Sequence, residues 1–120
     1  MQEATPPEIQ DGTLSIRIIE EDSVRTLVLT GELDLANSAT LAAQLDETAA
    51  GELVLDMSEL EFIDSTGIAL LVATHHRLNG NGTVGFRLIG SENLAVRRVM
   101  ALTGLEAELP SGESRETPQA

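Results

Sequence analysis

Ser65 and the carboxylates near it are the residues whose types and spacing could do chemistry. Ser65 lies in Phe62-Ile63-Asp64-Ser65-Thr66-Gly67-Ile68, between the apolar run Leu53 to Met57 and an apolar segment long enough to be a helix. Asp56 and Asp64 are close to it in sequence, and Asp34 follows Gly31-Glu32-Leu33 upstream. A strand, a polar turn and a helix start place Ser65 at or near a helix N-terminus. Asp and small hydroxyl residues suit that place because their oxygens satisfy the free N–H groups of the first turn. The helix dipole also favours a negative group there. Three roles are open to such a serine. A nucleophile would need an adjacent base. His75 and His76 lie about ten residues down the same helix, roughly 15 Å away at ~1.5 Å per residue, and no G-x-S-x-G elbow is present. A cap would be structural only. A phosphorylated Ser65 would gain ~1.5–2 negative charges, which the helix end tolerates. An acidic surface holding Asp34 and Asp64 would then gain charge density and could expel a docked partner.

Asp34 and Asp64 could in principle hold Mg²⁺, as the carboxylates of receiver domains do, but those domains also require a later lysine and this chain has none. Asp34 could instead brace the loop beside Gly31, and Asp64 could simply precede a cap. The alternative is that the two form a rim around Ser65 that engages a kinase or its magnesium-nucleotide. His75 lies on an apolar helix side and reads as packed, and His76 as solvated. Adjacent histidines do not share a helix face, which argues against a metal site. Gly80-Asn81-Gly82 makes a turn and not a phosphate cradle, because no G-x-x-x-x-G-K-[ST] is present. No metal or other cofactor is expected.

The composition sets the frame for these residues. The chain has 120 residues and 42% hydrophobic content, enough for one domain with a real core. Phe62 and Phe86 are the only aromatics, so the core must be aliphatic. No apolar run reaches the ~18 residues of a membrane span. Met1 to Gly12 is polar and unlike a secretory signal, which points to the cytoplasm. With no cysteine, disulfides, thiolate metal sites and cysteine catalysis are excluded. The net charge of −13 repels a nucleic-acid backbone and anionic membranes, but would steer in a basic protein partner.

The elements that must position Ser65 follow from periodicity. Residues 1–12 read as a flexible leader. Leu14 to Glu20 and Val24 to Thr30 read as strands joined by a tight hairpin. Asn37 or Ser38 caps a helix whose apolar Leu41, Leu45 and Ala49 recur at four-residue spacing, with Gly51 as its stop. Leu53 to Met57 is a buried strand followed by a polar turn. A second helix runs from about Ser65 to Leu78. Thr83 to Ile89 is a strand, Ser91 starts a third helix that ends at Gly104, and Leu105 to Leu109 suits a short final edge strand. Residues 110–120 read as a disordered tail. The order is β-β-α-β-α-β-α with a possible last strand. That is an α/β single domain with a mixed, mostly parallel sheet packed with helices.

Two motifs in this order are familiar. Leu55-Asp56-Met57-Ser58 followed by Phe62-Ile63-Asp64-Ser65-Thr66-Gly67-Ile68 resembles the D-[LM]-S … [FY]-[IM]-D-S-[ST]-G-[LI] signature of STAS domains, and Gly31-Glu32-Leu33-Asp34 resembles their G-E-[LI]-D element. The resemblance places a STAS domain at residues 13–109. Within that family the chain is most similar to bacterial anti-sigma-factor antagonists. The resemblance implies a cytoplasmic partner-switching module and not an enzyme. The unphosphorylated form would bind an ATP-dependent serine kinase that doubles as an anti-sigma factor, releasing the sigma factor. Phosphorylation at Ser65, with Thr66 as a secondary candidate, would switch binding off, and a serine phosphatase would reset it. The same match assigns Glu32, Asp34, Asp64, Ser65, Thr66 and Gly67 to the partner-binding surface. A family signature does not fix the partner, so a STAS subunit of a lipid-transport ABC complex or of a multi-STAS sensory assembly is the alternative.

Overall fold

The fold is taken from a computed structural model, which describes residues 7–47, 51–81, 84–90, 93, 94, 96 and 97. Its elements are β1 (Glu8–Asp11), β2 (Leu14–Glu21), β3 (Val24–Leu33), α1 (Ser38–Asp46), β4 (Gly51–Ile63), α2 (Ser65–Asn81) and β5 (Val84–Ile89). The strands form one five-stranded sheet in chain order. β1, β2 and β3 pair antiparallel, whereas β3, β4 and β5 pair parallel. The mixed sheet expected from the sequence is therefore present, and its parallel part is the half crossed over by α1 and α2.

Residues 8–11 are a strand and not part of a flexible leader. Only Ile9 of these four is apolar, so periodicity carries no signal. The strand exists because a two-residue turn at Gly12-Thr13 folds it onto β2, where Ile9 lies opposite Ile16. The β2–β3 hairpin turns on Asp22 and Ser23, both with positive φ (51° and 67°). Positive φ at both central residues matches the twist of the flanking strands. α1 ends at Asp46 with Glu47 as its C-cap, before the Gly51 stop expected from the sequence. The third helix expected from Ser91 to Gly104 lies largely outside the described residues, although Leu94, Val96 and Arg97 are helical. Residues 105–109 and 110–120 lie outside them altogether.

β4 departs most from expectation. It continues for thirteen residues through the segment read as a polar turn. Against β3 it is irregular: Val28 pairs with Asp56 and Leu33 with Ile63, so five steps on β3 span seven on β4. The two extra residues enter at separate shifts, each acting as a bulge. Side chains fasten the irregular part. Asp56 Oδ1 accepts the Ser58 N–H at 3.0 Å and the Ser58 hydroxyl at 2.6 Å. Asn93 Nδ2 donates to the carbonyls of Met57 (2.9 Å) and Leu60 (2.7 Å). The strand thereby keeps polar groups paired where the ladder fails them.

The core is aliphatic, as the composition requires. Leu14, Ile16, Leu27, Leu29, Leu53 and Leu55 from the sheet meet Leu41 and Leu45 of α1 and Ile68, Leu71 and Leu78 of α2 in one buried cluster. Val96 joins the same cluster, so the third helix also contributes to it. Gly31, in β3, has φ +97° and lies against Thr13, whose carbonyl oxygen would be 1.9 Å from an added Cβ. Gly31→Ala therefore combines strain with a backbone clash. It is expected to cost about 3 kcal/mol or more, measurable as a lowered midpoint in urea unfolding.

Candidate functional site

Where β3 and β4 end side by side, the chain must start two helices. Leu33 closes β3 and Ile63 closes β4, and they are register partners. The Asp64 N–H donates to the Leu33 carbonyl at 3.2 Å, which extends the pairing by one bond into the start of α2. Asp64 then acts as the helix cap. Its Oδ1 accepts the Gly67 N–H at 3.0 Å, and its carbonyl accepts the Ile68 N–H at 3.1 Å. Its other carboxylate oxygen, Oδ2, accepts the Leu35 N–H at 3.2 Å, across 29 residues of sequence. One carboxylate thus ties the first turn of α2 to the loop that precedes α1.

Capping by Asp64 leaves Ser65 with no such task. Ser65 occupies the first position of α2 and is exposed, and no hydrogen bond to another described residue engages its hydroxyl. Thr66 is half-buried and Gly67 is buried. A Cβ on Gly67 would come within 2.8 Å of Ile63 Cγ1 and 3.0 Å of Leu33 Cδ2. Only a glycine lets the helix settle this closely on the strand ends, and that contact sets the height at which Ser65 is presented.

The facing loop is built around Asn37. It occupies the N-cap position of α1, but its side chain does not cap that helix. It is 3% exposed and turns back into the loop instead. Oδ1 accepts the Asp34 N–H at 2.9 Å and Nδ2 donates to the Glu32 carbonyl at 3.0 Å. Asp34 Oδ1 accepts the Ala36 N–H at 3.0 Å, and its carbonyl accepts the N–H groups of Asn37 and Ser38. The Glu32 carboxylate accepts from the Thr13 hydroxyl at 3.3 Å. Asp34 thus braces its own loop, as one sequence reading held. The Leu35–Asp64 bond sets that loop, with Glu32 and Asp34, beside Asp64, Ser65, Thr66 and Gly67. The structure brings together all six residues singled out from the sequence.

Two further residues belong to this rim and carried no sequence signal as surface groups. Leu35 is 74% exposed and Phe62 45% exposed. Each continues an apolar–acidic alternation, Leu33-Asp34-Leu35 and Leu60-Glu61-Phe62, so the sequence carried no sign of their exposure. The rim is otherwise acidic. Among the described residues, arginines pair with Glu20, Glu47, Asp46 and Glu52, and none pairs with Glu32, Asp34 or Asp64. His75 is half-buried, with its ring 6.5 Å from that of Phe86, and His76 is exposed. Both lie far along α2 from Ser65, too distant to activate its hydroxyl. No group of three or more His, Cys, Asp or Glu residues among those described is arranged to hold a metal ion. Both Asp64 oxygens already accept backbone N–H groups.

Comparison with known proteins agrees with this architecture. The STAS domain family model matches residues 15–117, and the chain belongs to that family. It is 30% identical over 97 residues to the anti-sigma-F factor antagonist RsfB of Mycobacterium tuberculosis, covering 78% of this chain and 77% of that one. It superposes on the crystal structure of an anti-sigma factor antagonist from Mycobacterium paratuberculosis with a TM-score of 0.65 and 28% identity, covering 82% and 84% of the two chains. A putative anti-sigma factor antagonist from Thermotoga maritima gives a TM-score of 0.66 at 25% identity, covering 80% and 84%.

Asn37→Ala would leave the Asp34 N–H and the Glu32 carbonyl unpaired in a half-buried loop. A loss of about 2 kcal/mol is expected, read as a shift of the denaturant midpoint with the far-ultraviolet circular dichroism spectrum unchanged.

Proposed function

We propose that this STAS domain is a cytoplasmic anti-sigma-factor antagonist whose binding is switched at Ser65. The observation that carries the reading is the exposed Ser65 hydroxyl, free of capping duty, between an acidic rim and the apolar side chains of Leu35 and Phe62. The names of the relatives at 28–30% identity support the antagonist role. In the unphosphorylated state the domain docks on an anti-sigma factor that is also an ATP-dependent serine kinase, and the sigma factor is released. No catalytic role is assigned to the domain itself.

The rim suits that task physically. Leu35 and Phe62 supply apolar area whose burial favours association at roughly 25 cal/mol per Å². Glu32, Asp34 and Asp64 favour a partner with basic groups around its own apolar patch. In the switching step the γ-phosphoryl group of ATP passes to Ser65 Oγ. The bond from γ-phosphorus to the oxygen retained by ADP breaks, an Oγ–P bond forms, and the hydroxyl proton leaves to a base on the kinase. The product carries ~1.5–2 negative charges beside Asp64 and within the patch that docking must dehydrate. Burying such a charge without a partner cation is prohibitive, so the complex separates. A serine phosphatase hydrolyses the ester and restores the docking surface. Thr66, half-buried, is the less accessible acceptor.

Titration calorimetry against the host's anti-sigma kinase tests this directly. Ser65→Ala is expected to bind within about threefold of the native chain and to take no label from γ-labelled ATP. Ser65→Asp is expected to bind at least a hundredfold more weakly, about 2.7 kcal/mol. Equal binding by the native and Asp forms would reject the switch. Retention of a membrane ATPase by all three forms alike would assign the domain to a transport complex instead. Leu35→Ser should weaken binding about tenfold while leaving the unfolding midpoint unchanged, since Leu35 packs on little in the isolated chain.

A further inference from the structure

The carboxylate of Asp64 is held at two points with different surroundings. Its Oδ1 bond to the Gly67 N–H is half-buried at 3.0 Å, whereas its Oδ2 bond to the Leu35 N–H is exposed and longer, at 3.2 Å. The remainder of the Asp34–Asn37 loop is held from within by Asn37 and by Asp34 itself. Leu35, whose side chain projects farthest into solvent among the large apolar residues described, is therefore positioned relative to α2 through the outer oxygen of Asp64.

We propose that Asp64 is a positioning residue that transmits the chemical state of Ser65 to the Leu35 loop. This rests on the reading of Ser65 as the phosphorylated residue. A phosphoryl group on Ser65 stands next to Asp64 in the chain and repels its carboxylate. The phosphate also competes for the positive end of α2, where the first N–H groups lack intrahelical acceptors. The half-buried grip on Gly67 keeps Oδ1 in place, and the exposed Oδ2 is the one displaced. The Leu35 N–H then loses its acceptor, and the apolar side chain it carries loses its fixed position beside Ser65. Phosphorylation thus acts twice on docking: it adds charge, and it loosens the apolar contact that flanks the charge.

The test needs no kinase. Phosphoserine is installed at position 65 by genetic code expansion in the full chain and in Asp64→Asn, and amide exchange is followed by NMR in both, with and without the phosphate. An asparagine at position 64 has one side-chain oxygen and cannot hold Gly67 and Leu35 together. In the native background the phosphate is expected to speed Leu35 amide exchange at least tenfold. The Ile68 amide, bonded to the Asp64 carbonyl, should stay unchanged and so report an intact helix. In Asp64→Asn the Leu35 amide should already exchange fast, and the phosphate should add less than twofold. Asp64→Ser, which keeps a capping oxygen, serves the same purpose if the asparagine variant does not fold. Unchanged Leu35 exchange in the native phosphoprotein would overturn the coupling, as would a full tenfold effect persisting without the Asp64 carboxylate. Because the phosphoserine is incorporated during translation, these outcomes are independent of whether a kinase uses Ser65, which the calorimetry above decides.

Discussion

A parallel sheet ends by leaving helix N–H groups without acceptors, and in this domain a single carboxylate answers that need where β3 and β4 stop together. Asp64 continues the strand pairing through its own N–H, caps α2 with one oxygen and holds the Leu35 amide with the other. Remove the carboxylate and two ties loosen at once, the cap of α2 and the bond from loop to helix, and with them the rim on one side of Ser65 from the rim on the other. Such sharing is possible because Gly67 lets the helix descend onto Leu33 and Ile63. The site is thus assembled by the way the fold finishes its sheet, and the exposed serine is what remains once the backbone requirements are met.

Much of this was legible in the chain. The alternation in β2 and the apolar runs in β3 and β4 reported the sheet, because burial on a pleated surface imposes a two-residue period. Glycine, hydroxyl and carboxylate residues after Ile63 reported the helix start, and the motif resemblance placed Glu32, Asp34 and Ser65 in one region. Periodicity misses features set by pairing partners. Glu8 to Asp11 has no pattern of its own and becomes a strand because β2 offers it an edge. Residues 58 to 61 look like a turn because three of the four are polar, yet they stay extended because Asp56 and Asn93 satisfy their backbone. Asn37 was legible as a cap by type, but its side chain serves the preceding loop. A residue type announces hydrogen-bonding capacity, and only the fold decides which donor or acceptor receives it.

The charge distribution gives the rim its character. Three of the described arginines, Arg25, Arg77 and Arg87, pair with Glu20, Glu47, Asp46 and Glu52, away from the strand ends that carry Ser65. The carboxylates beside Ser65 are left to backbone and hydroxyl donors. The domain's strongly negative charge is therefore locally unneutralised at the place where Leu35 and Phe62 are exposed. Long-range attraction of a basic surface and short-range apolar contact are combined in one patch.

The two bulges in β4 carry a consequence for how this chain can change over generations. The strand's members of the core cluster fall at Leu53, Leu55 and Met57, then at Leu60 and Ile63, so the inward phase slips twice before the strand delivers Asp64. Each slip turns the side chains over, and the second undoes the first. Loss or gain of one residue between Met57 and Ile63 would leave an odd number of slips, presenting the wrong face of the strand to the core and misdirecting everything attached to its end. Length variation among descendants of this sequence should therefore be tolerated in the hairpin turns and excluded here, unless two changes arrive together.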